Sequence, residues 1–192
     1  MVRDIRHFKI GRNPFIMITL MVKPDSDDAV KKAALAGADD VMIKPVAGSG
    51  SVGVRYAETA VELYDVPAPR GFLVQSFING REYTLNLYFS LADGKLRCAI
   101  SHLRLETRGG EVSKGVTVRH PGLAEIARKI GGALQGARGC ICVQVIEQAD
   151  GQLFVTDINA RFGGGYPLAD YAGAKFARWL LEETAGLPCT AD

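Results

Sequence analysis

The chain has 192 residues, 47% hydrophobic and 23% charged, with a net charge of +2. That is the composition of a soluble globular protein, long enough to bury a core as one domain or two small lobes. No apolar run reaches membrane-spanning length, and no basic block interleaved with aromatics marks a nucleic-acid surface, so neither partner is expected.

The first predicted element is a buried strand near Phe15 to Val22, too short and wrongly flanked for a signal segment. A helix from about Ser26 to Ala36 follows, with Ser26 as its cap and Asp27 and Asp28 in its first turn. Val41 to Lys44 reads as a short strand running into a glycine-serine loop, and a further strand is expected near Val52 to Tyr56. Glycines in such a loop accept the positive φ angles that turn successive backbone N–H groups toward an anion, and Lys44 adds a point charge suited to phosphate oxygens. Gly48 to Gly53 also fits the spacing of a dinucleotide loop, but that loop must open a helix directly, and Val54-Arg55-Tyr56 looks extended. It is not a Walker loop, because no Gly-Lys-Ser/Thr ends it.

A helix near Glu58 to Tyr64 ends at Pro67-Ala68-Pro69-Arg70-Gly71, the expected lobe boundary, which divides the chain into 1–70 and 71–192. The second lobe is expected to open with the apolar strand Phe72 to Phe77 and a long hairpin turning at Asp93-Gly94, with Leu85, Leu87, Phe89 and Leu91 on its apolar face and His102 on that same side. Arg104 to Lys114 reads as a basic, glycine-containing loop able to reach over an anion. Leu123, Ile126, Ile130 and Leu134 mark the core stripe of a helix from about Gly122 to Leu134. A last helix is expected over Leu168 to Leu181. Cys98, Cys140, Cys142 and Cys189 follow no zinc spacing and read as reduced thiols of a cytoplasmic protein.

The most informative stretch is Val143 to Gly165. Two strands flank Asp150-Gly151, the strongest short hairpin signal. With those two residues as the loop, Gln144 lies opposite Asp157, and Asn159 points to the same face. The other face carries Ile141, Val143, Val145, Phe154, Thr156 and Ile158. An amide, a carboxylate and an amide on one polar face make an oxygen ligand set of the kind Mg²⁺ takes together with substrate phosphates.

In this order, Lys44-Pro45 with its Gly-Ser-Gly-Ser-Val-Gly-Val loop, Gln75-Ser76-Phe77-Ile78-Asn79-Gly80-Arg81-Glu82-Tyr83-Thr84, and Gln144…Asp157-Ile158-Asn159-Ala160-Arg161-Phe162-Gly163-Gly164-Gly165 resemble the ATP-grasp superfamily. The style is that of ligases related to the large subunit of carbamoyl phosphate synthase, over roughly residues 24 to 187. The resemblance implies an α+β fold of two lobes, each with an antiparallel sheet and helices, holding ATP and Mg²⁺ or Mn²⁺ between them. It implies that Lys44 holds the nucleotide phosphates and that Gly48, Ser49, Gly50, Ser51 and Gly53 close over them. Gln75, Phe77 and Ile78 become the adenine hinge and Glu82 the ribose carboxylate. Gln144, Asp157 and Asn159 become the metal ligands, and Arg161 steadies the transferred phosphoryl group.

The activity implied is ligation: a small-molecule carboxylate is activated as an acyl phosphate, then attacked by an amine or thiol. Asp157 stands where the family usually has glutamate, and Ser76 where the hinge often has glutamate. Residues 1 to 20 do not match; Arg6, Lys9 or Arg12 can replace the family's further basic phosphate ligand. The family's preceding acyl-substrate domain is expected to be absent, so the alternative is an ATP-binding module served by a separate domain or subunit. A homo-oligomer is compatible with either reading, and a dinucleotide-binding oxidoreductase is a third.

Overall fold

The computed structural model describes residues 19–22, 41–45, 52–57 and 72–191. The helices expected at 26–36 and 58–64, Gly48 to Ser51, the 67–71 boundary, and Arg6, Lys9 and Arg12 lie outside these residues. The chain divides into two compact units, 1–78 and 79–192.

The first unit contains β1 (Thr19–Val22), β2 (Val41–Pro45), β3 (Arg55–Ala57) and β4 (Phe72–Ser76) in one antiparallel sheet of order β1-β4-β2-β3. The strand expected to open the second lobe thus belongs to the first sheet. β4 pairs on one side with β1, Thr19 opposite Gln75, and on the other with β2, Met42 opposite Gln75. Gly53 turns the chain ahead of β3 at φ +77°, an angle that a side chain rarely adopts.

The second unit contains β5 (Arg81–Phe89), β6 (Leu96–Arg108), β7 (Glu111–Val118), α1 (Pro121–Ala133), β8 (Gly139–Glu147), β9 (Leu153–Asn159), α2 (Tyr166–Tyr171) and α3 (Phe176–Thr184). Its five strands form an antiparallel sheet of order β7-β6-β5-β8-β9. Central β5 is buried from Tyr83 to Phe89 on both faces, so its apolar and polar positions are both covered. Leu85, Leu87, Phe89, Val143 and Val145 lie on one face, all essentially inaccessible. Helix α1 covers this face with Leu123, Ile126, Ala127 and Ile130. On the opposite face, Tyr88 packs against Ala169, Ala174, Phe176 and Trp179 of the α2–α3 segment.

Four local expectations change. The segment Arg104 to Lys114 is a β6–β7 hairpin turning at Gly109 and Gly110, not a loop; both glycines have positive φ. The single helix expected over 168–181 is two helices, separated at Gly173 with φ +100°. His102 lies opposite Thr84, on the face of Thr84 and Asn86, not on that of Leu85 and Leu87. The β8–β9 loop has three residues, Ala149 to Gly151: Gln148 and Gln152 close it, with the Gln148 N–H donating to the Gln152 carbonyl at 2.9 Å. The Gly151 N–H donates to the Gln148 carbonyl at 2.9 Å and Gly151 takes φ +83°, the pattern of a turn followed by a left-handed glycine.

That longer loop shifts the near register by one residue, pairing Val145 with Val155. The register shifts back between Val145 and Gln144, where Thr156 is the extra residue of a bulge, and Gln144 lies opposite Asp157 as expected. The strip nearest the turn is reversed. Leu153 is buried where Phe154 was expected, because Leu153 pairs with Glu147.

Candidate functional site

The polar face of the second sheet is built by strand pairing alone. Thr84, Gln144 and Asp157 form one row across β5, β8 and β9; Asn86, Cys142 and Asn159 form the next. The amide of Asn159 donates to Asp157 Oδ2 at 3.0 Å. Gln144 and Asn159 are half-buried and Asp157 is exposed. The three expected metal ligands therefore share one face. Among the described residues no group of three His, Cys, Asp or Glu side chains could hold a metal. One carboxylate with two amides suits a hard cation that draws its other oxygens from phosphates and water.

Arg161 follows the end of β9 in a turn closed by its own N–H, which donates to the Asn159 carbonyl at 2.8 Å. Its guanidinium donates to the Phe162 carbonyl at 2.9 Å and pairs with Glu111 at 3.5 Å. The segment Gly163 to Gly165 then lies directly on the sheet. A side chain at Gly163 would meet Cys142 Sγ and Asn86, one at Gly164 would meet Glu111, and one at Gly165 would meet His102 and Val112. Three consecutive glycines are what lets the backbone approach this closely.

Beneath that segment sits His102, expected on the apolar side of its hairpin; it is buried, but on the polar side. His102 is inaccessible to solvent, its Nδ1 is 3.2 Å from the Asn86 amide, and its Nε2 has no partner. Burial, then the Arg104 charge, pushes its pKa down to about 4, so the ring is neutral. The alternation of Thr84 and Asn86 with Leu85 and Leu87 was the available signal for a second, polar side of β5. Burial likewise raises the thiols of Cys142, Cys98 and Cys140, the last to about 12, and all four cysteines are free.

Glu82 is half-exposed and pairs with the buried Arg104 at 3.0 Å, and Arg104 also donates to the Gly110 carbonyl at 2.6 Å. Arg108 and Lys114 both pair with Glu106, so the basic residues of this hairpin are held by their own neighbours. In the first unit, Lys44 lies on β2 opposite Leu73, and buried Gln75 is the penultimate residue of β4. Half-buried Phe77 meets Tyr56 edge-on at 4.6 Å between ring centroids, and Ile78 is buried. Gly53 is described, and Gly48 to Ser51 are not.

A cavity of about 660 Å³ opens elsewhere in the second unit, lined by Ser90, Arg97, Glu183, Leu187 and Cys189 among others. None of the expected site residues lines it. Its carboxylate is structural: Glu183 accepts from Tyr88, from Ser90 Oγ at 2.6 Å and from the Leu91 N–H at 3.0 Å. Burial pushes that carboxyl up, but the donors outweigh it and hold it below its ordinary value.

A family model described as the ATP-grasp domain matches residues 15–165. Among solved structures, the D-alanyl-alanine synthetase A of Vibrio cholerae superposes with a TM-score of 0.66 at 16% identity, over 86% of this chain and 57% of that one. The N5-carboxyaminoimidazole synthetase of Staphylococcus aureus, complexed with ADP, gives 0.66 at 16% identity, over 81% and 43%. The biotin carboxylase domain of the Hydrogenobacter thermophilus 2-oxoglutarate carboxylase, in complex with MgADP, gives 0.70 at 16%, over 88% and 41%. This chain therefore spans 41% to 57% of the length of those three. No curated protein sequence matches it.

Proposed function

The chain belongs to the ATP-grasp family, and from that premise we propose that it serves an ATP- and magnesium-dependent ligase acting on a small-molecule carboxylate and an amine or thiol. The observation that carries the reading is the polar face on which Gln144, Asp157 and Asn159 meet, with Arg161 at its edge. Oxygen donors of this kind fit Mg²⁺, and they also accept Mn²⁺. Gln144, Asp157 and Asn159 would hold the metal, which would supply neutralisation of phosphate charge.

In this reading Lys44 and the loop from Gly48 to Gly53 hold the phosphates. Gln75, Phe77 and Ile78 present backbone groups to adenine, and Glu82 takes the ribose hydroxyls. A substrate carboxylate oxygen attacks the γ-phosphorus, ADP departs, and an acyl phosphate results. The amine or thiol then displaces inorganic phosphate. The chain supplies no nucleophile; Lys44 and Arg161 spread and stabilise the phosphoryl charge. A division of labour in which another domain or subunit holds the acyl substrate is compatible with the share of the neighbours' length that this chain spans.

Among the described residues no helix is long and apolar enough to cross a membrane, and we place the reaction in the cytoplasm. Calorimetric titration of the 192-residue chain with ATP, ADP and NAD, with and without Mg²⁺, tests the nucleotide reading. Tight Mg·ATP binding without NAD binding supports it, and equal or better binding of NAD refutes it. Fast ADP release dependent on an added carboxylate and amine would show that this chain needs no further domain.

A further inference from the structure

Arg161 is the exposed end of the site, and nothing in regular secondary structure fixes it. Its guanidinium is half-exposed on a turn beyond β9, and such a stem has many rotamers. We propose that Glu111 is a positioning residue for Arg161, holding its guanidinium where it meets the terminal phosphoryl group. The proposal rests on the ligase reading above. Glu111 grips the arginine segment at two points. One carboxylate oxygen faces Arg161 Nη2 at 3.5 Å, and the other accepts from the Gly164 N–H at 3.2 Å.

Glu111 is itself placed by the β6–β7 hairpin. It pairs with Arg108 directly after the Gly109-Gly110 turn, and the Gly110 carbonyl is held by Arg104, which also holds Glu82. The β6–β7 turn thus connects the carboxylate assigned to the ribose with the arginine assigned to the phosphoryl group. The Glu111–Arg161 pair has both partners about half-exposed and so contributes little to folding. A guanidinium carries five N–H donors, so one held by Glu111 keeps donors for a phosphoryl oxygen.

The test is titration of the 192-residue chain with Mg·ATP and Mg·ADP. Wild type should bind ATP more tightly than ADP, and Arg161→Ala should remove that preference. Glu111→Gln keeps an acceptor for the Gly164 N–H but loses the charge facing Arg161. It should weaken ATP binding about threefold to fivefold and leave ADP affinity and melting temperature unchanged. The double variant should be no weaker than Arg161→Ala alone. Unchanged or tighter ATP binding by Glu111→Gln overturns the proposal, since the carboxylate would then be idle or competing with phosphate. Equal losses for ATP and ADP, or a lowered melting temperature, assign Glu111 a structural role only and also overturn it. Failure of wild type to bind Mg·ATP refutes the ligase reading itself, which the wild-type arm alone reveals.

Discussion

Replacing Glu147 by alanine should remove three contacts at once, two to β5 and one to the cap of α1. Its buried carboxylate accepts from the Tyr83 hydroxyl at 2.7 Å, faces His120 Nε2 at 3.3 Å, and pairs with Arg81 at 3.1 Å. His120 is also the cap of α1: its Nδ1 accepts from the N–H groups of Gly122 and Leu123, so its Nε2 carries the proton that points at Glu147. Orphaning the buried Tyr83 hydroxyl costs about 1–3 kcal/mol. Loosening a cap costs about 1 kcal/mol, and the pair to the exposed Arg81 contributes about 0–1 kcal/mol. The expected loss is about 3 kcal/mol, or roughly 6–12 °C in melting temperature for a chain of this length. Glu147→Gln should lose about half of that, since an amide oxygen still accepts one bond.

Urea unfolding of both variants and of Tyr83→Phe measures these values, and Tyr83→Phe with Glu147→Ala should be less destabilised than the sum of the two. A Glu147→Ala loss within about 0.5 kcal/mol of zero, the range of an uninvolved surface site, refutes the reasoning. The same carboxylate gives a pH signature. The Tyr83 hydrogen bond holds it below its ordinary value of 4.5, helped by His120 and Arg81 and opposed by burial. A depressed folded-state value means the stabilisation is complete above 4.5 and is lost as pH falls through that lower value. Glu147→Gln should remove that loss.

Asp157→Asn should weaken Mg²⁺-dependent ATP binding at least about tenfold, since even outer partners of a metal site cost that much, while metal-free nucleotide binding changes little. An unchanged Mg²⁺ dependence would make the polar face structural. His102 binds its proton less readily in the fold, with a pKa of about 4 against 6.5; stability should therefore fall as pH drops through that interval. His102→Gln should flatten the fall, and an identical slope would show that the ring is not buried and neutral. Gly165→Ala should cost about 1–3 kcal/mol in urea unfolding, because its methyl group would meet His102 and Val112; a neutral outcome would mean that the segment does not rest on the sheet.

Legibility in the sequence followed the range of each interaction. Strand pairs joined by short turns were readable: Asp93-Gly94 and Asp150-Gly151 announced hairpins, and period-two alternation assigned most faces. Gln144 opposite Asp157 was reached although the loop was misjudged, because the three-residue turn and the Thr156 bulge shift the register in opposite senses. Only the strip between the two irregularities, Leu153 to Val155, was reversed. Long-range ladders were not readable. Nothing local in Phe72 to Ser76 tells that it pairs with strands around residues 20 and 43. Glu111 escaped for a similar reason: its partner Arg161 is far along the chain, and the glycine run signals close approach without naming what is approached.

The two halves of the polar face differ in how firmly they are held, and that difference bears on catalysis. Reacting groups must stay within about 0.5 Å of their working positions, and strands achieve this better than turns. Gln144 lies on β8, flanked by β5 and β9, and Asp157 and Asn159 lie on β9 against β8, with further support from the Asn159–Asp157 hydrogen bond. Toward the other end of that face, Tyr88, Phe176 and Trp179 pack as an aromatic cluster with ring centroids 5.3–5.5 Å apart, closing it against α2 and α3. The three residues proposed as metal ligands are thus placed by strand pairing. Arg161 is not, for it has left the ladder. An arginine that stabilises only the moving phosphoryl group does not need a strand, but it needs a restraint that acts on charge and leaves donors to spare. A half-exposed carboxylate from the neighbouring hairpin, anchored through Gly164 and the Gly109-Gly110 turn, meets that requirement, whereas a buried partner would hold the guanidinium too strongly to yield it to a phosphate.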